Sequence, residues 1–130
     1  MNVIPQSAAD ILKTHGFAHV ATIGNKGEPN SSPVWFDWDG TYLKFSQTTG
    51  RQKYHNVQRD PHIALSITDP KNPYHYLEIR GKVVRVEDDT DYRFINSLAK
   101  KYLGVDKYPN LQPGEHRVVL YVQPERTSTM

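Results

Sequence analysis

Residues 35–61 read WFDWDGTYLKFSQTTGRQKYHNVQRDP, and the order of signals in that stretch decides the fold. Asp39–Gly40 stands between Trp38 and the β-rich run TYLKFSQ, which predicts a hairpin whose two central residues both take positive φ. The outgoing strand passes through Thr48–Thr49–Gly50 into residues 51–59, RQKYHNVQR. That segment lacks strand alternation and is bounded by Gly50 and Asp60–Pro61, so it predicts a short helix.

Working outward, NSSPVWFDW is a second extended run before the hairpin, and Asn25–Lys26–Gly27–Glu28 is turn chemistry. Phe17 to Gly24 alternate as a strand. Residues 7–16 predict an opening helix capped by Ser7, with Asp10 three residues later and Gly16 ending it in the left-handed conformation. Downstream, HIALSITD is a mostly apolar strand, PKNP a loop, and YHYLEIRGKVVRVEDD a long strand expected to kink at Gly81. Residues 89–103 predict a helix with Tyr92, Ile95, Leu98, Ala99, Tyr102 and Leu103 on one face. The loop GVDKYPNLQPGE leads to a last strand, HRVVLYVQP. The expectation is a mainly β chain, six or so strands forming a barrel with accessory helices, as a single domain over 1–130.

The totals narrow the function. A chain of 130 residues leaves roughly a third of its unfolded surface exposed, so a second copy would help to wall in a large cofactor. Cysteine is absent, which excludes disulfides, thiolate metal sites and cysteine nucleophiles. Sixteen basic against 14 acidic residues give a net charge of +2, too balanced for a nucleic-acid partner. The opening MNVIPQSAAD lacks a signal-peptide pattern, and no window has the roughly 20 apolar residues of a membrane span. The expected compartment is the cytosol, without membrane attachment.

Three constellations can carry chemistry. The first runs from Phe45 to Pro61, where a strand enters hydroxyl residues, a glycine and a helix start. Amides at a helix N-terminus favour phosphate; Thr48 and Thr49 add hydroxyls, Arg51 a guanidinium fork and Lys53 a point charge. A solvated helix start is the competing reading. The second is Pro33–Val34–Trp35–Phe36, an apolar wall for a flat ring system, or else core or dimer filling. The third is Tyr76, Glu78 and Arg80 on one strand face, aimed at a ligand or forming a surface ion pair. Six histidines are scattered over different elements without partners at ligand spacing, so no metal site is expected.

With those residues in view, the chain resembles the pyridoxamine-5′-phosphate-oxidase-like superfamily of split β-barrels, FMN-binding and Greek-key-like. Within it, the chain is similar to the flavin/deazaflavin oxidoreductases associated with coenzyme F-420. VATIGNKGEPNSSPVWFDWDG, YLKFSQTTGRQKYHNVQRDPHIALSI and YLEIRGKVVRVEDD carry the resemblance, which covers roughly Ile4 to Pro124. It implies phosphate binding by Ser46, Gln47, Thr48, Thr49, Arg51, Gln52 and Lys53, with Lys53 matching the family's usual lysine. Arg51 and Gln52 stand where the oxidases carry serine and arginine. The strand lining the ring system matches Ser32, Pro33, Val34, Trp35 and Phe36. Glu78 falls where FMN-using oxidases often have a glutamine, a departure from FMN use, and the oxidases' arginine-rich substrate segment is not evident.

The resemblance further implies a homodimer with both chains lining each site, and hydride transfer from reduced F-420 to a small unsaturated acceptor. FMN is the alternative cofactor, and a non-catalytic flavin carrier the alternative function. The cofactor carries the chemistry, so no general acid or nucleophile is assigned. Tyr54, Tyr76 and Arg80 are candidates to orient the substrate, and basic residues near the cradle suit the polyanionic F-420 tail.

Overall fold

A computed structural model describes residues 3–130. Its strands are β1 (Ala18–Ile23), β2 (Pro29–Val34), β3 (Asp37–Trp38), β4 (Leu43–Thr48), β5 (His62–Asp69), β6 (Asn72–Asp88) and β7 (Arg117–Thr129). Helix α1 (Gln52–Arg59) follows β4, and α2 (Arg93–Leu103) precedes β7. All seven strands form one antiparallel sheet in the order β2-β1-β5-β6-β7-β4-β3. It curls into a split β-barrel, mainly β as expected. Among the described residues no helix is long and apolar enough to cross a membrane.

Strand parity sets the core. On β4, Leu43 and Phe45 point inward with Gln47, while Lys44, Ser46 and Thr48 face the other way. Leu65, Ile67, Leu77, Ile79, Leu120 and Val122 complete the interior from β5, β6 and β7. Such side chains each gain about 1.5–3 kcal/mol from full burial.

The hairpin forms, but its turn is longer than two residues. Trp38 pairs with Leu43, leaving 39–42 as the loop, and only Gly40 has positive φ, at 97°. The Asp39 carboxylate supplies the missing constraint by accepting hydrogen bonds from the Thr41 and Tyr42 amides at 2.8 and 2.7 Å. The expected continuous run NSSPVWFDW is also broken at Trp35–Phe36, between β2 and β3. Phe36 turns fully into the core. Its backbone pairs with side chains instead of a strand: its amide donates to the Tyr102 hydroxyl at 3.1 Å, and its carbonyl accepts from Lys101 Nζ at 2.8 Å.

The opening helix is a 3-10 helix over Gln6–Lys13, following Pro5 and without a side-chain cap, so Ser7 does not hold that role. Thr14 ends it, its hydroxyl donating to the Ile11 carbonyl at 2.8 Å. Gly16 does not take positive φ and serves close packing instead: a Cβ there would lie 2.9 Å from the Thr68 carbonyl oxygen.

The long strand behaves as expected at Gly81. Register shifts occur at Arg80/Gly81 and Val83/Arg85, and a Cβ on Gly81 would meet the Gln123 carbonyl at 2.0 Å. The expected PKNP loop contracts, because Asn72 already pairs with Asp69. The helix expected over 89–103 begins only at Arg93, since Asp91 and Tyr92 have φ near +59° and +56°. Buried Asp89 caps it, accepting from the Phe94 and Ile95 amides at 2.8 and 2.9 Å. Ile95, Leu98 and Ala99 are buried as predicted, whereas Leu103 stays half exposed.

Candidate functional site

Helix α1 is anchored before it is functional. Buried Asn56 donates from Nδ2 to the Thr22 hydroxyl on β1 at 3.0 Å and accepts from Gln52 Nε2 at 2.8 Å. Arg59 donates to the Ile23 carbonyl. These bonds fix the direction in which the helix N-terminus points.

At that terminus the Arg51 amide donates to the Thr48 carbonyl at 3.2 Å, and the Thr49 amide to the His116 carbonyl at 3.1 Å. The next three amides, of Gln52, Lys53 and Tyr54, have no acceptor among the described residues. The Arg51 guanidinium likewise has no hydrogen-bond partner among them. Lys53 Nζ donates to Gln47 Oε1 at 3.2 Å. Burial, and then the neighbouring Arg51 charge, hold the Lys53 ammonium below the usual lysine range. A half-buried cation facing another cation and three free amides is a seat for an anion.

This terminus opens on a cleft of about 330 Å3 whose walls include Ser32, Pro33, Val34 and Trp35 on one side and Ser46, Gln47, Arg51 and Lys53 on another. A second recess of about 230 Å3 adjoins it, sharing Ser32, Gln47, Arg51 and Lys53 and adding Gln52. Ile95 and Leu98 of α2 line it as well, as do Phe17, Tyr108 and Arg117, the last being the β7 partner of Thr48 on β4. The cleft thus brings the cations of Arg51, Lys53 and Arg117 together with the aromatic rings of Phe17, Trp35 and Tyr108.

The aromatic wall is rigid. Tyr102 stacks on Trp35 with centroids 5.2 Å apart and planes at 11°, and Tyr108 meets Trp35 edge-on at 5.8 Å and 86°. The Tyr102 hydroxyl, besides accepting from Phe36, donates to the Gly16 carbonyl at 2.8 Å. Burial above all pushes its pKa up to about 12, so it remains a neutral donor. Arg117 stacks over Tyr108 at 4.9 Å and pairs with Glu115 at 2.6 Å.

Of the residues singled out from sequence, Ser32, Pro33, Val34, Trp35, Ser46, Gln47, Arg51, Gln52 and Lys53 come together here. Phe36 does not, because it fills the core. Thr48 and Thr49 do not line the cleft, and Thr49 Oγ1 lies 3.4 Å from His116 Nδ1. Tyr54 packs against the core with its ring edge-on to His55. Tyr76, Glu78 and Arg80 lie on the outward parity of β6, opposite Leu77 and Ile79, with Glu78 paired to Arg80 at 3.4 Å. None of those three lines the cleft.

Sequence reasoning missed Phe17, Tyr102, Tyr108 and Arg117, which arrive from distant segments; Tyr102 meets Phe36 across 66 positions. Asp10, Asp69 and His75 gather with ligand atoms within 4.8 Å of one another. The His75 ring lies 2.8 Å from the Met130 carbonyl and 3.4 Å from Asp10.

The profile of the family described as pyridoxamine 5′-phosphate oxidase matches residues 4–130. The chain belongs to that family. Within its fold, an F-420 reductase is 36% identical, with a TM-score of 0.87 over 96% of this chain and 98% of that one. General Stress Protein 26 from Bacillus anthracis str. Sterne has a TM-score of 0.72 over 96% and 92% at 16% identity, a likeness of fold alone. A curated relative, the 5a,11a-dehydrotetracycline/5a,11a-dehydrooxytetracycline reductase of Streptomyces rimosus, is 32% identical over 68 residues. That match spans about half of each chain, 49% of this one and 48% of the relative. Family and likeness make the protein an oxidoreductase of the split-barrel fold.

Proposed function

We propose that this oxidoreductase binds coenzyme F-420 in the cleft and uses its reduced form to transfer a hydride to a small unsaturated organic acceptor. One observation carries the reading: among the described residues the amides at the start of α1 and the Arg51 guanidinium have no partner, and Arg51 and Lys53 line a cleft that Trp35 and Tyr108 also line. That combination of groups suits a ligand with an anionic tail and a flat head. A reductase named for F-420 shares this fold over nearly its whole length.

The residues divide the work. The amides of Gln52, Lys53 and Tyr54 bind phosphate, and Arg51 and Lys53 neutralise it. Val34 and Trp35 wall the ring system, and Ile95 and Leu98 keep water from its far side. A reduced deazaflavin, when bound, supplies a hydride and its electron pair. FMN suits the same cradle, and a carrier without turnover would need no acceptor space.

We also propose a cytosolic homodimer. Half-exposed Phe17 stands at the wall of an open cleft, and a second copy would cover both. A monomeric mass in solution at micromolar concentration contradicts that arrangement. The test of function is turnover: reduced F-420 mixed with a panel of conjugated acceptors under anaerobic conditions regains its oxidised absorbance. Tight F-420 binding without reduction of any acceptor selects the carrier, and purified protein that holds FMN and ignores F-420 selects the flavin enzyme.

A further inference from the structure

We infer that Arg117 binds the acceptor, holding the oxygen of a flat α,β-unsaturated carbonyl compound as the hydride arrives. The inference rests on the reading of the cleft given above and names its substrate class. Arg117 is fixed on three sides: Nε donates to Glu115 at 2.6 Å, Nη1 to the Ser46 hydroxyl at 3.1 Å, and the guanidinium covers Tyr108 at 4.9 Å. Its side chain is only 11% exposed and that of Glu115 only 13%. Yet Nη2 has no hydrogen-bond partner among the described residues, and no side-chain nitrogen or oxygen is both buried and unpaired. Nη2 is therefore reached by solvent, on a residue that walls the cleft.

The surroundings say what that donor meets. Ser46 and Gln47 are consecutive on β4; Gln47 accepts from Lys53, and Ser46 accepts from Arg117, whose ring contact is Tyr108. The amides, Arg51 and Lys53 already provide for phosphate, so Arg117, held over Tyr108 beside Trp35, is a third cation in the cleft with a donor to spare. A flat conjugated ring fits such a corner. A planar guanidinium is always charged and directs its donors rigidly.

The chemistry needs that donor. Hydride addition to the β-carbon forms a C–H bond and breaks the C=C π bond, and the displaced electron pair collects on the carbonyl oxygen as an enolate. The two electrons come from the reduced deazaflavin, which is oxidised. Water supplies the proton that then bonds to the α-carbon, giving the saturated carbonyl compound. A preorganised donor at the oxygen, in a site of low polarisability, stabilises the charge as it develops. Glu115 is a positioning residue that sets the guanidinium plane.

The probe is pentafluorophenol, a flat phenol whose anion resembles an enolate. It is titrated by fluorine NMR, across the pH range in which it ionises, into protein saturated with oxidised F-420. Bound to the wild type, it ionises at lower pH than when free. The double variant Arg117→Met, Glu115→Gln removes both charges and so leaves no orphan carboxylate. It is expected to lose this preference, to keep its F-420 affinity, and to lose roughly 100-fold in kcat towards cyclohexenone. Arg117→Lys, which keeps the charge without the fork, is expected to fall between.

Unchanged phenolate preference and unchanged kcat in the double variant overturn the assignment. So does a loss of F-420 affinity in that variant, which would make Arg117 a cofactor ligand. Failure of the wild type to bind F-420 at all is a different result, since it removes the underlying reading first.

Discussion

The indole of Trp35 lies parallel to the phenol ring of Tyr102, 5.2 Å away and tilted by 11°. The stack joins the break between β2 and β3 to the last turn of α2, and the Tyr102 hydroxyl adds bonds to Phe36 and Gly16. One side chain thus fixes the cleft's aromatic wall to three separate parts of the chain.

Tyr102→Phe keeps the stack and removes the hydroxyl. The Phe36 amide and Gly16 carbonyl lose a partner, at a cost of about 1–3 kcal/mol. Urea unfolding monitored by tryptophan fluorescence should show a lower midpoint with an unchanged slope.

Lys53→Ala should weaken F-420 binding by about tenfold or more, the scale of one charge-assisted hydrogen bond. Its melting temperature should stay close to that of the wild type, because among the described residues the Lys53 ammonium bonds Gln47 alone and faces the Arg51 charge. Fluorescence titration and thermal unfolding measure the two effects separately.

Binding should also depend on pH. Burial first, and Arg51 second, lower the Lys53 pKa in the free protein, whereas a phosphate beside it favours the charged form and raises that pKa. Affinity is then full below the free-state pKa and falls as pH rises from there towards the bound-state value. Within that interval binding takes up a proton, which calorimetry in buffers of different ionisation enthalpy detects. Lys53→Met should abolish the uptake.

Gly81→Ala should be severely destabilising, on the order of 4 kcal/mol or more. The new Cβ would lie 2.0 Å from the Gln123 carbonyl, and the obstacle is backbone that cannot rotate away. Soluble yield and calorimetric unfolding check this, with Gly50→Ala, where a Cβ meets nothing within 4 Å, as the control.

Much of this was legible in local sequence. Helix α1 and strand β5 were each set by neighbours within a few positions, and so was the strand–loop–helix that brings Ser46, Gln47, Arg51, Gln52 and Lys53 to the cleft, though Thr48 and Thr49 do not line it. Turn chemistry at Asp39–Gly40 located the hairpin but not its length, because an Asx side chain can replace a second positive-φ residue. Phe36 read as part of a binding wall because its inward rotation depends on Tyr102 and Lys101, distant in sequence. Tyr76, Glu78 and Arg80 do share a face, as strand parity requires, but parity alone does not say which face looks into the cleft. Arg117 sits at the start of a strand among ordinary polar residues, and only the folded sheet brings it beside Ser46.

The most direct test is a side-by-side titration of F-420 and FMN into the purified wild-type protein, followed by cofactor fluorescence. The expected result is saturable F-420 binding that is much tighter than FMN binding and weakens on Lys53→Ala. Binding of neither cofactor, or F-420 affinity indifferent to Lys53, would contradict it.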